Sequence, residues 1–126
     1  MLAMVRYFDY HRKMEIKSIV AALAALAQES RLAVFRLLVQ AGPQGMSAGK
    51  ISDATGIPPS SLSFHLKELS HADMVSSRNE SRFVIYSANF SRMNEVLAYL
   101  TENCCGGNPC IQVCSDSCSP IEENES

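Results

Sequence analysis

Cysteine is missing from the first 103 residues of this sequence, and all five cysteines fall within positions 104–118. Long apolar runs are missing too, because none approaches the roughly 20 residues that a transmembrane helix needs. The first residues lack the basic, apolar and small-residue order of a signal peptide. We therefore expect a cytoplasmic protein with no membrane partner, in which thiols stay reduced.

Catalytic patterns are also missing. The sequence contains no nucleophile elbow, no paired carboxylates and no phosphate-binding loop. We predict that the protein is not an enzyme. Its 126 residues, 47 % hydrophobic and 19 % charged, fit one globular domain with one core.

Positively charged residues are scarce, and the distribution of charge along the chain matters more than the net charge. The net charge is −2, but residues 104–126 contain four acidic residues and no Lys or Arg, which leaves +2 on residues 1–103. A single copy would bind phosphates weakly. Binding to nucleic acid would therefore need two copies or a locally concentrated field.

The composition divides the chain into three segments. Residues 1–12 give little signal and form an N-terminal extension. Residues 13–103 carry the helical and strand patterns of a folded domain. Residues 104–126 form a cysteine-rich tail with too few apolar residues for a core of its own.

Residues 46–75 predict a helix, a tight turn and a second helix. Ser47 is a suitable N-cap, and Gly56 sits where the first helix must stop. Pro59 or the serines after it can open the second helix, whose buried face would be Leu62, Leu66 and Leu69. This arrangement is typical of a helix-turn-helix unit, whose second helix enters the DNA major groove.

The opposite face of the second helix favours DNA reading over the alternative, an ordinary helical hairpin inside a core. A buried helix would not carry Ser60, Ser61 and Lys67 there, and a plain solvent-facing helix rarely exposes Phe64. Hydroxyls can bond to bases or phosphates, and an aromatic ring can touch a thymine methyl. The predicted DNA contacts on this helix are Ser60, Ser61, Ser63, Phe64, His65 and Lys67.

Histidine is predicted to bind no metal in this chain. His65 lies close to the leucine face of the second helix, and we expect it to pack there or to bond a phosphate. His11 and His71 have the pattern of surface residues.

Residues 74–89 change to the two-residue period of strands and predict a β-hairpin. We expect Arg78, Asn79, Glu80 and Arg82 at its tip. A basic hairpin directly after a recognition helix is a wing, with Arg78 and Arg82 along phosphates or in the minor groove. The alternative is a solvated hairpin tip. The predicted fold class is mainly α with a β-hairpin wing (α+β), a dimeric winged helix-turn-helix.

Three further helices complete this prediction. Residues 13–27 form an apolar, alanine-rich helix that suggests burial on more than one side. A second helix, capped by Ser30 and running to Gln40, would bury Leu32, Phe35, Leu38 and Val39. The last helix covers residues 91–102, with Asn103 as terminator. Residues 13–27 and 91–103 are the predicted homodimer contacts.

The cysteine cluster allows four interpretations: a soft metal or metalloid site, structural zinc, a redox switch, or free thiols without a role. Zinc favours paired ligands at regular spacing, which these cysteines do not show. A disulfide between adjacent Cys104 and Cys105 would be strained. A trivalent metalloid needs three thiolates, and the turn-forming residues 106–109 would allow Cys110 to join the adjacent pair. Cys114 and Cys118 are candidates for auxiliary ligands.

The segments SSLSFHLKELSHADMV and SRFVIYSAN resemble the ArsR/SmtB family of metal- and metalloid-responsive winged-helix repressors over about residues 13–103. The resemblance implies a homodimer that binds an imperfect palindromic operator and releases it when an inducer binds. Two common family sites are absent, because the first helix of the DNA-reading unit has no cysteine and the last helix has no histidine.

The cluster after the last helix resembles that of a variant arsenite-sensing subgroup. This resemblance implies that Cys104, Cys105 and Cys110 bind As(III) as the inducer, with antimonite and methylarsenite as alternative ligands. No organic cofactor is expected. The remaining alternatives are a repressor that responds to zinc, cadmium or thiol oxidation, and a metal-buffering protein without a regulatory role.

Overall fold

A computed structural model describes residues 16–107 of the chain. Predictions about the extension, about residues 13–15, and about Cys110, Cys114 and Cys118 lie outside the described residues. The elements are α1, described over Ile16–Leu26, α2 (Glu29–Ala41), β1 (Met46–Ser47), α3 (Ala48–Thr55), α4 (Pro59–His71), β2 (Val75–Glu80), β3 (Phe83–Ala88), α5 (Phe90–Thr101) and a short 3₁₀ turn, η1 (Cys104–Gly107).

No single helix in residues 16–107 is long and apolar enough to cross a membrane. α1 and α2 reach such a composition only when taken together, and the chain bends by 100° between them.

The hydrophobic core lies between the helices and the base of the sheet. Its fully buried large side chains come from α2, α3, α4 and the loop after α4; they are Val34, Leu38, Ile51, Leu62, Leu69 and Met74. The three strands form an antiparallel sheet in the order β1-β3-β2. Val75 pairs with Ala88, and both are buried, so the hairpin base is part of the core while its tip projects from it.

The ends of α3 and α4 confirm the predicted helix, turn and helix. The Lys50 amide donates to the Ser47 hydroxyl at 3.3 Å, which caps α3. Gly56 ends α3 in the left-handed conformation at φ +76°. Pro59 opens α4, whose leucines at positions 62, 66 and 69 are buried as predicted.

α2 differs from its prediction at its start and on its buried face. The N-cap is Gln28, whose side chain accepts from the Arg31 amide, and Ser30 already lies inside the helix. Leu32 is exposed, whereas Val34 is buried beside Phe35 and Leu38. The core face of α2 is therefore rotated from the predicted one, because α2 packs against α3, α4 and β3 together rather than against one neighbour.

The first strand of the hairpin is longer than predicted, and the prediction that Arg78 lies at the tip is wrong. Arg78 lies inside β2, opposite Ile85, and the strand continues through residues 79 and 80. Only Ser81 and Arg82 form the turn. Ser81 adopts φ +58° there. No sequence pattern indicated β1, whose two residues pair with β3.

α5 begins one residue earlier than predicted, since Asn89 caps it by accepting from the Arg92 amide at 3.1 Å. Asn103 follows the helix end with φ +57°, in agreement with its predicted role as terminator. Arg92 also connects α5 to α1, because its guanidinium donates to the Ser18 carbonyl at 2.8 Å and to the Ser18 hydroxyl.

Candidate functional site

The face of α4 opposite its buried leucines is polar and open. Its exposed residues are Ser60, Ser61, Ser63, Phe64 and Lys67. Phe64 keeps 55 % of its surface accessible, although aromatic side chains ordinarily seek burial. The structure thus brings five of the six residues predicted on this helix onto one accessible surface.

The start of α4 adds backbone donors to this surface. Pro58 is the N-cap and supplies no side-chain hydrogen bond to the first turn. The amides of the first turn of a helix have no partner within the helix, and together with the helix dipole they favour an anion. Ser60 and Ser61 lie in that turn, so their hydroxyls and amides face the same solvent.

His65 is the sixth predicted residue and is only partly accessible. Its ring stands edge-on to Phe64, with centroids 5.8 Å apart. Its Nδ1 is buried and has no hydrogen-bond partner within the described part of the chain. His65 therefore lies between the leucine face and the open face, where it can pack against the first while its ring edge reaches the second.

The two arginines of the wing occupy different positions. Arg82 lies in the exposed two-residue turn. The Arg78 guanidinium donates to the Glu80 carboxylate at 2.8 Å and to the Gln44 carbonyl at 2.7 Å. Arg78 therefore fastens the wing to the loop before β1 and neutralises Glu80, whereas Arg82 is the arginine that the tip presents.

Sequence reasoning missed two residues beside this surface. Lys50 is exposed in the first turn of α3, and Phe83 is 61 % exposed at the start of β3. Together with Ser47, Glu80 and Ile85 they line a groove between α3 and the wing. The two-residue alternation of β3 is a sequence signal that could have indicated Phe83. It places Phe83 and Ile85 on one face of the strand and the buried Ala88, at the base of the hairpin, on the other.

A second surface, which we call the apolar face, is formed by α1, α2 and α5. Its exposed side chains are Ile16, Val20, Leu23, Leu32, Leu97 and Leu100. A groove of about 420 Å³ runs among several of them and reaches the buried Phe35 and Val96. α1 and α5 were both predicted to contribute apolar surface beyond the core of one copy.

Two of the predicted cysteine ligands lie directly after α5. Cys104 is partly buried and Cys105 exposed, and their sulfurs are 3.7 Å apart. This separation is well beyond a sulfur–sulfur bond. Cys105 is disulfide-bonded, in contrast to the expectation of reduced thiols, and Cys104 is a free thiol. Within residues 16–107, no group of three or more metal-binding side chains comes together.

Comparison with known proteins agrees with this geometry. The model of a helix-turn-helix domain family matches residues 26–78. The Escherichia coli K12 protein YgaV, an HTH-type transcriptional regulator, is 28 % identical over 85 residues, which cover 68 % of this chain and 84 % of YgaV.

Two solved structures extend the likeness to the fold. HlyU from Vibrio cholerae is 30 % identical, with 67 % of this chain and 91 % of HlyU covered and a TM-score of 0.54. The homodimeric DNA-binding domain of Mb0332 from Mycobacterium bovis, a possible ArsR-family regulator, is 21 % identical, with 73 % and 84 % of the two chains covered and a TM-score of 0.59.

The recognition helix, the wing and these likenesses lead to one conclusion. The chain contains a helix-turn-helix domain and has the winged-helix fold, and the proteins that it resembles include an HTH-type transcriptional regulator.

Proposed function

We propose that this protein is a homodimeric repressor that binds an imperfect palindromic operator and releases it when As(III) binds its C-terminal thiolates. The observation that carries the proposal is the position of the adjacent Cys104 and Cys105 at the end of α5. α5 is part of the apolar face, so a ligand at its end acts on the element that would join two copies.

DNA binding is proposed for the open face of α4 and the wing tip. Ser60, Ser61 and the first-turn amides contact phosphates, while Phe64 and Lys67 approach base edges. Ser63 lies on the same exposed surface, and the partly accessible His65 lies at its margin. Arg82 approaches the adjacent backbone or minor groove. The arginine at position 78 supports the wing from inside, which is a smaller role than the sequence suggested.

Two copies are needed for this function. A segment of charge +2 binds phosphates weakly, and doubling the contacts roughly doubles the logarithmic dependence of affinity on salt. The apolar face supplies the contact surface, with α1 and α5 contributing most of its exposed aliphatic side chains. The homodimeric state of the Mb0332 domain is consistent with this arrangement.

The effector site is proposed to consist of Cys104, Cys105 and Cys110, with Cys114 and Cys118 as auxiliary thiols. Arsenous acid reacts with three thiols: three As–O bonds and three S–H bonds break, and three As–S bonds form. Each hydroxyl leaves as water with one thiol proton, and the oxidation state of arsenic does not change. The reaction requires reduced thiols, so the disulfide at Cys105 must first be reduced. Acid protonates the thiolates, and we expect arsenite affinity to weaken as the pH falls.

Arsenite must bind the DNA-free form more tightly than the DNA-bound form in order to induce. The coupling free energy between two such sites is typically about 1–3 kcal/mol, which corresponds to a change of roughly 5- to 150-fold in DNA affinity. Ligation directly after Thr101 would reorient the end of α5 and thereby the recognition helix of the second copy.

The test is a gel shift with reduced, desalted protein and a duplex from upstream of its own gene, with and without arsenite. We expect arsenite to release the duplex from the wild type. The Cys104→Ser, Cys105→Ser double variant should stay bound at the same arsenite concentration, and Lys67→Ala should bind weakly throughout. Release of the double variant by arsenite would refute the site assignment.

A second candidate, a repressor released by thiol oxidation, is favoured by the disulfide at Cys105. Oxidation by a peroxide converts two thiols to a disulfide, and the two electrons and two protons go to the peroxide. Hydrogen peroxide gives two waters, and an organic hydroperoxide gives one alcohol and one water. Release by peroxide that dithiothreitol reverses, without any response to arsenite, would support this candidate. Release by zinc or cadmium alone would favour the metal alternative, and a chain that never binds DNA would leave only metal buffering.

A further inference from the structure

Large exposed apolar side chains in residues 16–107 fall into two groups. Six belong to the apolar face, and the other three are Phe64, Phe83 and Val84, on the recognition helix and the wing. The other aromatic residues of the described chain pack into or against the core; they are Phe35, Tyr86, Phe90 and Tyr99. Phe64 and Phe83 are therefore the described aromatic rings that the fold leaves open.

The register of the hairpin places Phe83 at its outermost point. Phe83 pairs with Glu80 directly across the Ser81–Arg82 turn. Alternate residues of a strand share a face, so Phe83 stands with Ile85 and away from the core. The next residue of β3, Val84, lies on the other face and is 40 % exposed. The tip thus carries an apolar side chain on each face and an arginine in the turn between them.

The charges around this tip favour a nucleic-acid partner. Arg82 is adjacent to Phe83, and Lys50 lines the same groove. Glu80, which lies opposite Phe83 in the hairpin register, forms an ion pair with the Arg78 guanidinium at 2.8 Å. The surface around Phe83 is therefore positive on balance.

We propose that Phe83 is a DNA-contacting residue that enters the minor groove beside Arg82 and determines which sequences the wing accepts. Apolar side chains that enter the minor groove partly unstack a base step and bend the duplex. The cost depends on how easily the step deforms, so Phe83 favours flexible pyrimidine–purine steps under the wing. Selectivity arises there without a hydrogen bond to a base. This inference rests on the proposed DNA binding.

The experiment compares wild type, Phe83→Ala, Phe83→Leu and Arg82→Ala on the duplex that the wild type protects from DNase I upstream of its own gene. We expect Phe83→Ala to weaken binding about ten-fold, the size of one good contact to DNA, and Phe83→Leu to retain most of the affinity. The dependence of affinity on salt separates the two side chains. Arg82→Ala should lower the slope by about one, whereas Phe83→Ala should leave it unchanged because no counterion is involved.

Bending gives an independent readout. Energy transfer between dyes at the two duplex ends should rise when the wild type binds and rise less with Phe83→Ala. Replacing the pyrimidine–purine step under the wing should weaken the wild type but not Phe83→Ala. Since Phe83 is exposed, the variant should unfold at the wild-type temperature, which circular dichroism checks.

The two ways of failing are distinguishable. A wild type that binds no upstream duplex overturns the proposed function. If the wild type binds and Lys67→Ala weakens it, but Phe83→Ala binds and bends the duplex like the wild type, DNA binding stands and the role of Phe83 is refuted.

Discussion

At the scale of single residues, two glycines allow the chain conformations that position α3 and β1. Gly56 ends α3 with φ +76° and has open space where a Cβ would be. Gly45 has φ +70° and lies against the carbonyl of Tyr86, where β1 meets β3. The first glycine is needed only for its backbone conformation. The second is needed for its conformation and for the close approach of two chain segments.

Gly45→Ala should therefore destabilise the protein by roughly 2–4 kcal/mol, since left-handed strain adds to a collision with backbone that cannot move away cheaply. Gly56→Ala should cost only about 1 kcal/mol. Gly49 lies in α3 with nothing near its Cβ position, and Gly49→Ala should stabilise by about 0.5–1 kcal/mol. Urea unfolding at one fixed protein concentration measures all three. An equal loss from Gly45→Ala and Gly56→Ala would show that the approach to Tyr86 does not matter.

At the scale of elements, α5 is the helix that connects the core, the apolar face and the two described cysteines. It carries Val96 in the core, Leu97 and Leu100 on the apolar face, and the two cysteines just beyond its end. Its first turn is tied to α1 through the mostly buried Arg92, whose hydrogen bonds reach Ser18. α1 and α5 are therefore expected to move together rather than separately.

Arg92→Met should loosen α1, because the methionine keeps the apolar packing and loses the charged hydrogen bonds to Ser18. A loss of about 1.5–3 kcal/mol is typical when such bonds disappear. Hydrogen exchange should rise in α1 more than in α3 or α4. Glu95→Gln is the matched control, since the exposed pair of Glu95 with Arg92 is worth at most about 0.5 kcal/mol. An equal loss of hydrogen-exchange protection in all helices would contradict a specific connection of α5 to α1 through Arg92.

At the scale of the whole molecule, the described chain has two open surfaces with different chemistry. The apolar face suits a second copy, and the face formed by α4 and the wing suits an anionic polymer. They lie on different elements, so both can be occupied together. Regulation in the proposed mechanism depends on this separation, because Cys104 and Cys105 follow α5, which contributes to the apolar face.

Leu100→Lys should convert the proposed dimer to a monomer of 13.8 kDa, since a charge would be buried within the joined apolar faces. Leu100 is 57 % exposed in one copy, so the monomer itself should remain folded. Sedimentation equilibrium measures the mass of the particle in solution. The affinity for the operator should fall when the dimer is lost. Val84→Lys, an exposed aliphatic position on the wing, should leave the mass unchanged. A wild type that is itself monomeric at the concentration of the assay would refute the dimer.

Local sequence was sufficient to predict the helix-turn-helix and the position of the wing. These features depend on local chemistry: the Ser47 cap, the left-handed Gly56, Pro59 at a helix start, and the spacing of three leucines. Each acts within a turn or two of the chain, so its effect is predictable without knowing its neighbours in space.

The buried face of α2, the existence of β1 and the supporting role of Arg78 depended instead on tertiary packing. Leu32 and Val34 are equally apolar, and the packing of three neighbours against α2 chose between them. β1 is two residues long and is stabilised by its partner strand rather than by its own propensity. The open ring of Phe83 has the same origin, because the register that buries both residues of the hairpin base leaves Phe83 on the outer face at the tip.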